Sequence, residues 1–203
     1  MLTIAGMGPG NLALMTPQAL EAVAQADVLV GGKRHLAQFA DFCGEVRVLD
    51  ADIPGLLAWL EQQQQQQRRV VVLASGDPLF YGIGTRLVAH FGIGQLRIIP
   101  GISAVQYLCA RTGIDMNDIW LTSSHGRVVD FDALARARKV AMVTDAKCGP
   151  KAIAEALMAR GTEKCWLVIG ENLGLDDERI HRLRPAEVQA EYAMNVVVIL
   201  NER

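Results

Sequence analysis

Val70-Val71-Val72-Leu73-Ala74-Ser75-Gly76-Asp77-Pro78 is an apolar run of strand length that stops at once in a glycine–proline loop. Two other stretches repeat the pattern. Leu2-Thr3-Ile4-Ala5 runs into Gly6-Met7-Gly8-Pro9-Gly10, and Leu96-Arg97-Ile98-Ile99 runs into Pro100-Gly101-Ile102-Ser103. Each is followed by a helix-like segment. An open parallel α/β sheet places its ligand beyond the carboxyl ends of such strands. Glycine allows close backbone approach there, and proline holds the loop in one shape. Three such loops in one half of a short chain predict a ligand-binding sheet edge.

The segments between them alternate in the same way. Thr16 is placed to cap a helix that has Pro17 at its first position. Asp27-Val28-Leu29-Val30 reads as a strand ended by Gly31-Gly32, and Val46-Arg47-Val48-Leu49 as a short one. A helix is expected from Ile53 into the tract Gln62 to Gln67, whose solvated end precedes the strand at Val70. Strands of four to six residues alternating with helices imply parallel βαβ units. In the second half, Ile119 to Thr122, Val140 to Thr144 and Cys165 to Ile169 read as strands, with a helix over Ala152 to Met158. Glu178 to Leu183 and Asn195 to Leu200 read as antiparallel closing strands, because no helix-length segment separates them. A boundary near Gly113-Ile114-Asp115 gives two α/β lobes, 1–114 and 115–203. A small-molecule site is expected between them.

Composition narrows the function. The 203 residues are 51% hydrophobic and 21% charged, which suits a globular chain with a real core. A formal charge of -2 offers no basic field for nucleic acid. No apolar run approaches the roughly 20 residues of a membrane helix. The amino-terminus goes straight into a strand without the basic region of a signal peptide. Cys43, Cys109, Cys148 and Cys165 form no Cys-x-x-Cys pair, which predicts buried reduced thiols and a cytoplasmic protein. The histidines show no metal-site spacing, and no protein-bound metal is expected.

The loops can be tested against known ligand chemistry. Gly6-Met7-Gly8-Pro9-Gly10-Asn11 has asparagine where a dinucleotide fingerprint needs its last glycine. The next strand ends in Val30-Gly31, where that fingerprint needs an acid. Pro9 also removes an N–H that a pyrophosphate would use. No Gly-x-x-x-x-Gly-Lys-Ser/Thr occurs, so P-loop phosphate chemistry is excluded. Asp77 can accept hydrogen bonds from ribose or amine groups, or can belong to a plain Asp-Pro turn. Ser103 can touch a ligand or simply cap the following helix.

Together, Gly6-x-Gly8-Pro9-Gly10, Gly76-Asp77-Pro78-Leu79-Phe80-Tyr81-Gly82 and Pro100-Gly101-Ile102-Ser103-Ala104 resemble the tetrapyrrole methylases, in order and spacing and over essentially the whole chain. Those are S-adenosylmethionine-dependent enzymes of corrin and sirohaem synthesis. Ser123-Ser124-His125-Gly126-Arg127, Val143-Thr144-Asp145 and Glu171-Asn172-Leu173-Gly174 look like the branch acting on carbon 5 of precorrin-7 or its cobalt form. A fused relative adds a second domain for carbon 15 and decarboxylation, and this chain resembles the stand-alone subunit.

The resemblance implies two α/β lobes of tetrapyrrole-methylase type with S-adenosylmethionine in a cleft between them. It places Asp77 and Phe80 beside the cofactor, Ser103 and Ala104 at its methionine end, and Met194 and Asn195 near its adenine. Gly8, Pro9 and Gly10 would face the tetrapyrrole, which agrees with rejecting the phosphate reading. A polycarboxylate macrocycle calls for cations. Lys33 and Arg34 after Gly31-Gly32, and His125 and Arg127 after a strand, are the candidates. Solvated surface positions are the plain alternative for each. His125 is also the group placed to accept a proton near neutral pH, if one is needed. His35, His90 and His181 have no comparable setting in the sequence. Trp59, Trp120 and Trp166 are expected in cores. Glu171 to Gly174 reads equally as a strand-ending turn or a cofactor contact.

The resemblance also implies a homodimer, and pathway logic adds a separate carbon-15 methyltransferase as a partner. Other outcomes stay open on the sequence. They are another corrin carbon, uroporphyrinogen or the diphthamide precursor as acceptor, and a non-catalytic module that binds a nucleotide-like ligand.

Overall fold

In the computed structural model, which describes residues 2–201, the three apolar runs are neighbouring parallel strands of one sheet. The chain divides into two units, Met1–Ser103 and Ala104–Arg203. The first unit runs β1 (Leu2–Gly6), α1 (Pro17–Ala24), β2 (Val28–Gly31), α2 (Lys33–Leu36), β3 (Glu45–Val48), α3 (Ile53–Gln65), β4 (Val70–Ala74), α4 (Gly84–Phe91) and β5 (Leu96–Ile99). Its strands lie in the order β3-β2-β4-β1-β5, all parallel, with Leu2 opposite both Val70 and Leu96.

From β1 to β3 the chain steps one way along the sheet, and from β3 to β5 it steps back. Right-handed crossovers therefore send α1 and α2 to one face and α3 and α4 to the other. Side-chain alternation along each strand serves both faces. Leu2, Ile4, Val28, Val30, Val70 and Val72 pack with Leu56 and Leu60 of α3 and Leu87 of α4. Ala5, Leu29, Val71 and Leu73 pack with Ala19 and Val23 of α1. A strand covered on both sides has no polar face, which is why Val70 to Ala74 is unbroken. Each fully buried leucine or valine there contributes on the order of 1.5–3 kcal/mol.

Helix starts follow the sequence expectation. Thr16 Oγ1 accepts the Ala19 N–H at 3.2 Å with Pro17 at the first helical position, and Asp52 Oδ1 accepts the Gly55 N–H at 3.0 Å at the head of α3. The glutamine tract continues α3 to Gln65 and stops at Gln66 and Gln67. Gln63, however, is buried and takes an Arg68 Nη1 hydrogen bond at 2.8 Å, so the helix end is not wholly solvated.

The second unit runs α5 (Ala104–Thr112), β6 (Trp120–Ser123), α6 (Phe131–Arg136), β7 (Lys139–Val143), α7 (Pro150–Met158), β8 (Trp166–Glu171), β9 (Arg179–Leu183) and β10 (Asn195–Leu200). Its order is β6-β7-β10-β8-β9. β10 is antiparallel to both β7 and β8, and β9 is antiparallel to β8, so the closing strands flank β8 and do not pair with each other. Leu134 of α6 and Ile153 and Leu157 of α7 join Val140, Met142, Leu167, Ile169, Val197 and Ile199 in one core.

Two expectations are revised, for Trp120 and for the cysteines. The contacts group α5 with the second unit. Its Leu108 fills the space beside Gly170 of β8, where a Cβ would meet the leucine Cδ1 at 3.0 Å. Trp120 is 38% exposed on the edge strand β6, so it is not a core residue. Of the cysteines, Cys109 and Cys165 are buried, while Cys43 is exposed and Cys148 half-buried, and all four are free thiols.

Candidate functional site

Because β4, β1 and β5 are adjacent and parallel, their carboxyl-terminal loops lie side by side at one sheet edge. Two of the loops are stitched together. Gly8 N–H donates to the Gly76 carbonyl at 3.2 Å, and Gly76 N–H donates back to Gly8 at 2.9 Å. The third loop packs against this pair, with Gly6 and Gly101 approaching backbone to backbone. The edge holds Gly8, Pro9 and Gly10 after β1, Asp77 and Phe80 after β4, and Ser103 after β5. Ser103 is buried, and Phe80 rests edge-on against Tyr81 with ring centroids 5.0 Å apart.

Asp77 uses both carboxylate oxygens within its own surroundings. Oδ1 accepts the Leu79 N–H at 2.9 Å and Oδ2 the Gly101 N–H at 3.2 Å. The carboxylate is thereby fixed between two of the loops, with lone pairs remaining for an ammonium or ribose hydroxyl. It is more than a local Asp-Pro turn, because one of its bonds crosses 24 residues of sequence. Leu79 and Ile102 expose apolar surface nearby in the same loops. An anchored carboxylate, a buried serine and apolar loop residues suit the amine, hydroxyl and flat-ring parts of an amino-acid-bearing nucleoside.

Lys33 and Arg34 open α2, directly after β2, at the same edge. Arg34 Nη2 donates to Ser75 Oγ at 2.7 Å, which brings it to the loop after β4. Arg34 Nε donates to His35 Nε2 at 3.3 Å. His35 has no setting in the sequence comparable to that of His125. Yet its Nδ1 is buried without a hydrogen-bond partner among the described residues, and burial, helped by the Arg34 charge, pushes its pKa down to about 4. Gln38 adds a side-chain bond to the Gly10 carbonyl at 3.0 Å, which steadies the first glycine loop.

In the second unit a groove of about 820 Å³ is lined by His125, Thr144, Asp145, Lys147, Lys151, Met194 and Asn195, among others. His125, Met194 and Asn195, far apart in sequence, therefore share one surface. Thr144 Oγ1 ties the two sides by a hydrogen bond to the Asn195 carbonyl at 2.7 Å. The His125 turn is built by Asp145 and two serines. Ser123 Oγ accepts the His125 N–H at 3.0 Å, and Ser124 Oγ accepts the Asp145 N–H at 3.1 Å. Asp145 in turn accepts the N–H groups of Cys148, Lys147 and Gly126, and these backbone bonds, Cys148 first, hold its carboxyl below the ordinary aspartate range. Arg127 lies in the same turn and is exposed, its N–H on the Ser124 carbonyl at 3.2 Å; it does not line the groove. Ala104 is the first residue of α5.

Glu171, the last residue of β8, is a further residue whose role the sequence left undecided. It is 7% exposed. Oε1 accepts the Ala193 N–H at 2.7 Å and Oε2 meets His181 Nε2 at 2.6 Å, while the His181 ring stands edge-on to Tyr192. The Met194 carbonyl accepts the Asn172 N–H at 2.9 Å. Glu171 and His181 thus brace the segment that carries Met194 and Asn195 into the groove. An acid at a strand end and a histidine ten residues on carry no motif, so only the β8–β9 register pairs them.

The family profile of the Tetrapyrrole (Corrin/Porphyrin) Methylases matches residues 1–189. A protein of Salmonella typhimurium named cobalt-precorrin-7 C(5)-methyltransferase is 66% identical over 203 residues, covering all of both chains. A Sinorhizobium precorrin-6Y C(5,15)-methyltransferase [decarboxylating] is 31% identical over 207 residues, covering 98% of this chain and 48% of its own. Among solved structures, a uroporphyrin-III C-methyl transferase from Thermus thermophilus complexed with S-adenyl homocysteine superposes with a TM-score of 0.79. It is 19% identical and the match covers 98% and 96% of the two chains, which is a likeness of fold.

Proposed function

We propose, on the premise that this chain belongs to the tetrapyrrole (corrin/porphyrin) methylases, that it methylates carbon 5 of precorrin-7 or its cobalt form in cobalamin synthesis. The enzyme is an S-adenosylmethionine-dependent C-methyltransferase. The observation that carries the acceptor is the 66% identity, end to end, with the Salmonella protein of that name.

S-adenosylmethionine supplies a methyl group activated by a neighbouring positive sulfur. The residues proposed to hold it are Asp77, Phe80, Ser103, Ala104, Met194 and Asn195. Asp77 suits this role because its carboxylate is immobilised by two backbone N–H groups before any ligand arrives, so little ordering remains on binding. Gly8, Pro9 and Gly10 are proposed to receive the macrocycle, with Lys33, Arg34, His125 and Arg127 meeting its carboxylates. Methyl transfer between two carbon-rich partners needs alignment and exclusion of water more than an acid–base dyad. His125, exposed beside Asp145, is the side chain proposed to take the proton released from the methylated ring.

A separate carbon-15 methyltransferase is proposed as a partner, since the Sinorhizobium relative is named for methylation at both carbons and for decarboxylation. Among the described residues no helix is long and apolar enough to cross a membrane. A cytoplasmic homodimer completes the proposal, and light scattering of the purified protein tests the dimer. The reaction is tested by incubation with methyl-labelled S-adenosylmethionine and each late corrin intermediate, followed by mapping of the labelled carbon. Label at carbon 5 of precorrin-7 or its cobalt form is expected; label at another carbon, or in no tetrapyrrole, overturns the assignment.

A further inference from the structure

We infer that His35 is a positioning residue, holding the Arg34 guanidinium beside the first glycine loop so that it can take a carboxylate of the acceptor macrocycle. The inference rests on the tetrapyrrole methylase reading. The contacts of Arg34 include a bond from Nε to His35 Nε2 at 3.3 Å and one from Nη2 to Ser75 Oγ at 2.7 Å. The first bond fixes the fork to its own helix, and the second fixes it to the loop leaving β4. Gly76, next to Ser75, pairs in both directions with Gly8, so the guanidinium is anchored one residue from the loop proposed to face the substrate. A guanidinium carries five N–H donors, and one held in this way loses little side-chain freedom when it meets a carboxylate.

The chemistry of the ring fits that task. To accept from Arg34, Nε2 must be the unprotonated nitrogen, which leaves the ring proton on Nδ1. Nδ1 is buried and has no hydrogen-bond partner among the described residues. Burial first, and then the Arg34 charge, lower the His35 pKa to about 4, so the ring stays neutral near pH 7 and keeps its acceptor. A buried N–H without a partner is uncommon and unfavourable for folding. Its presence here is accounted for if the other nitrogen is needed where it stands.

The test compares wild type with His35→Leu, His35→Gln and Arg34→Lys. Steady-state methyl transfer is measured at varied acceptor and varied S-adenosylmethionine. His35→Leu removes the acceptor atom at similar volume and is expected to raise the acceptor KM about tenfold, the effect of one charge-assisted hydrogen bond. Turnover and the S-adenosylmethionine KM stay close to wild type. Glutamine can place its amide oxygen where Nε2 stood and should restore most of the loss. Arg34→Lys keeps the charge without an Nε–H and should resemble His35→Leu.

An unchanged acceptor KM in His35→Leu, or a glutamine variant no better than leucine, overturns the inference. If circular dichroism shows His35→Leu unfolded, the glutamine and lysine variants decide by the same criteria. Fluorescence titration with uroporphyrin, a tetrapyrrole octacarboxylate, separates the two levels of the argument. Weaker binding by His35→Leu than by wild type supports the carboxylate role even where wild type transfers no methyl to carbon 5. Equal binding, or none by wild type, removes it.

Discussion

Gly6, at the end of β1, and Gly101, two residues beyond β5, touch backbone to backbone: a Cβ on Gly6 would fall 2.6 Å from the Gly101 Cα. A Cβ on Gly101 would come within 2.8 Å of the Gly6 Cα and would run into the Gly76 carbonyl oxygen. All three loops of the sheet edge meet at this point, so the absence of side chains sets their spacing. Gly101→Ala is expected to push the loops apart and to lower stability by about 1–3 kcal/mol, in the range for overpacking. S-adenosylmethionine binding should weaken with it. Gly94→Ala, with nothing within 4 Å of the added Cβ, is the matched control and should melt within a degree or two of wild type. Thermal melts and calorimetric titration of both variants check this.

Asp77 joins two of those loops through its paired acceptors. Asn at this position keeps one oxygen acceptor but turns an NH2 group toward the second backbone N–H. It also removes the negative charge proposed to meet the cofactor. Asp77→Asn should weaken S-adenosylmethionine binding at least about tenfold, and Asp77→Ala more, while acceptor affinity changes less. Isothermal titration with S-adenosylhomocysteine measures the first effect and uroporphyrin fluorescence the second. Parallel losses for both ligands would place Asp77 in the scaffold and not in the cofactor site.

Much of this was legible before the structure, for reasons visible in single residues. Val70 to Ala74 could be placed because a strand buried on both faces leaves a continuous apolar signature, and Thr16-Pro17 because caps are local chemistry. The sheet order was not legible. It depends on which way each crossover turns, and no residue records that. The packing of α5 is not legible either, because it rests on Leu108 against Gly170, a contact 62 positions away in the chain. The setting of His35 is not legible, because its neighbour Arg34 reaches Ser75 only once β2 and β4 pair, and Glu171 stays undecided between turn and contact because Ala193 and His181 meet it only in the folded sheet.

Glu171 offers a direct test of that hidden layer. Glu171→Leu deprives the Ala193 N–H and His181 of their shared acceptor and should cost about 1–3 kcal/mol of stability. The segment bearing Met194 and Asn195 loses its brace, and the KM for S-adenosylmethionine is expected to rise about tenfold with little change in acceptor KM. Glu171→Gln keeps one acceptor oxygen and should fall between. Urea denaturation gives the stability, and initial rates give the split between the two KM values.

A surface pair sets part of the acid sensitivity of the first unit. Asp27 receives Arg69 Nη2 at 2.6 Å on one oxygen and the Arg69 backbone N–H at 2.8 Å on the other. The side-chain bond first, and then the backbone bond, lower its pKa from 3.8 to about 2. A carboxylate whose pKa falls on folding adds stability that is complete above its unfolded value and disappears as pH drops through the folded one. Wild type should therefore exceed Asp27→Asn in stability at pH 5 to 7. The difference should shrink between pH 4 and 2 and vanish below. Urea midpoints measured across that range decide; a difference that persists below pH 2 would assign the effect to packing.

Asp145 extends the same linkage to the candidate site. Its carboxyl is lowered chiefly by the Cys148 N–H, with the Gly126 and Lys147 N–H groups and the nearby His125 charge adding to it. The folded value lies below the unfolded one, so the turn carrying His125 is held fully above the ordinary aspartate range and loosens as pH falls beneath it. Asn at 145 retains one oxygen acceptor but must turn an NH2 group toward a backbone N–H, so at neutral pH it should reproduce the acid-loosened turn. Amide exchange at Gly126 and Cys148 is expected to speed up in Asp145→Asn at pH 7 and in wild type on acidification. The acceptor KM should rise in the variant while S-adenosylmethionine binding is little altered, because His125 reaches the substrate in this reading and Met194 and Asn195 are held by Glu171. Unchanged exchange at both amides in the variant would show that the serines alone hold the turn.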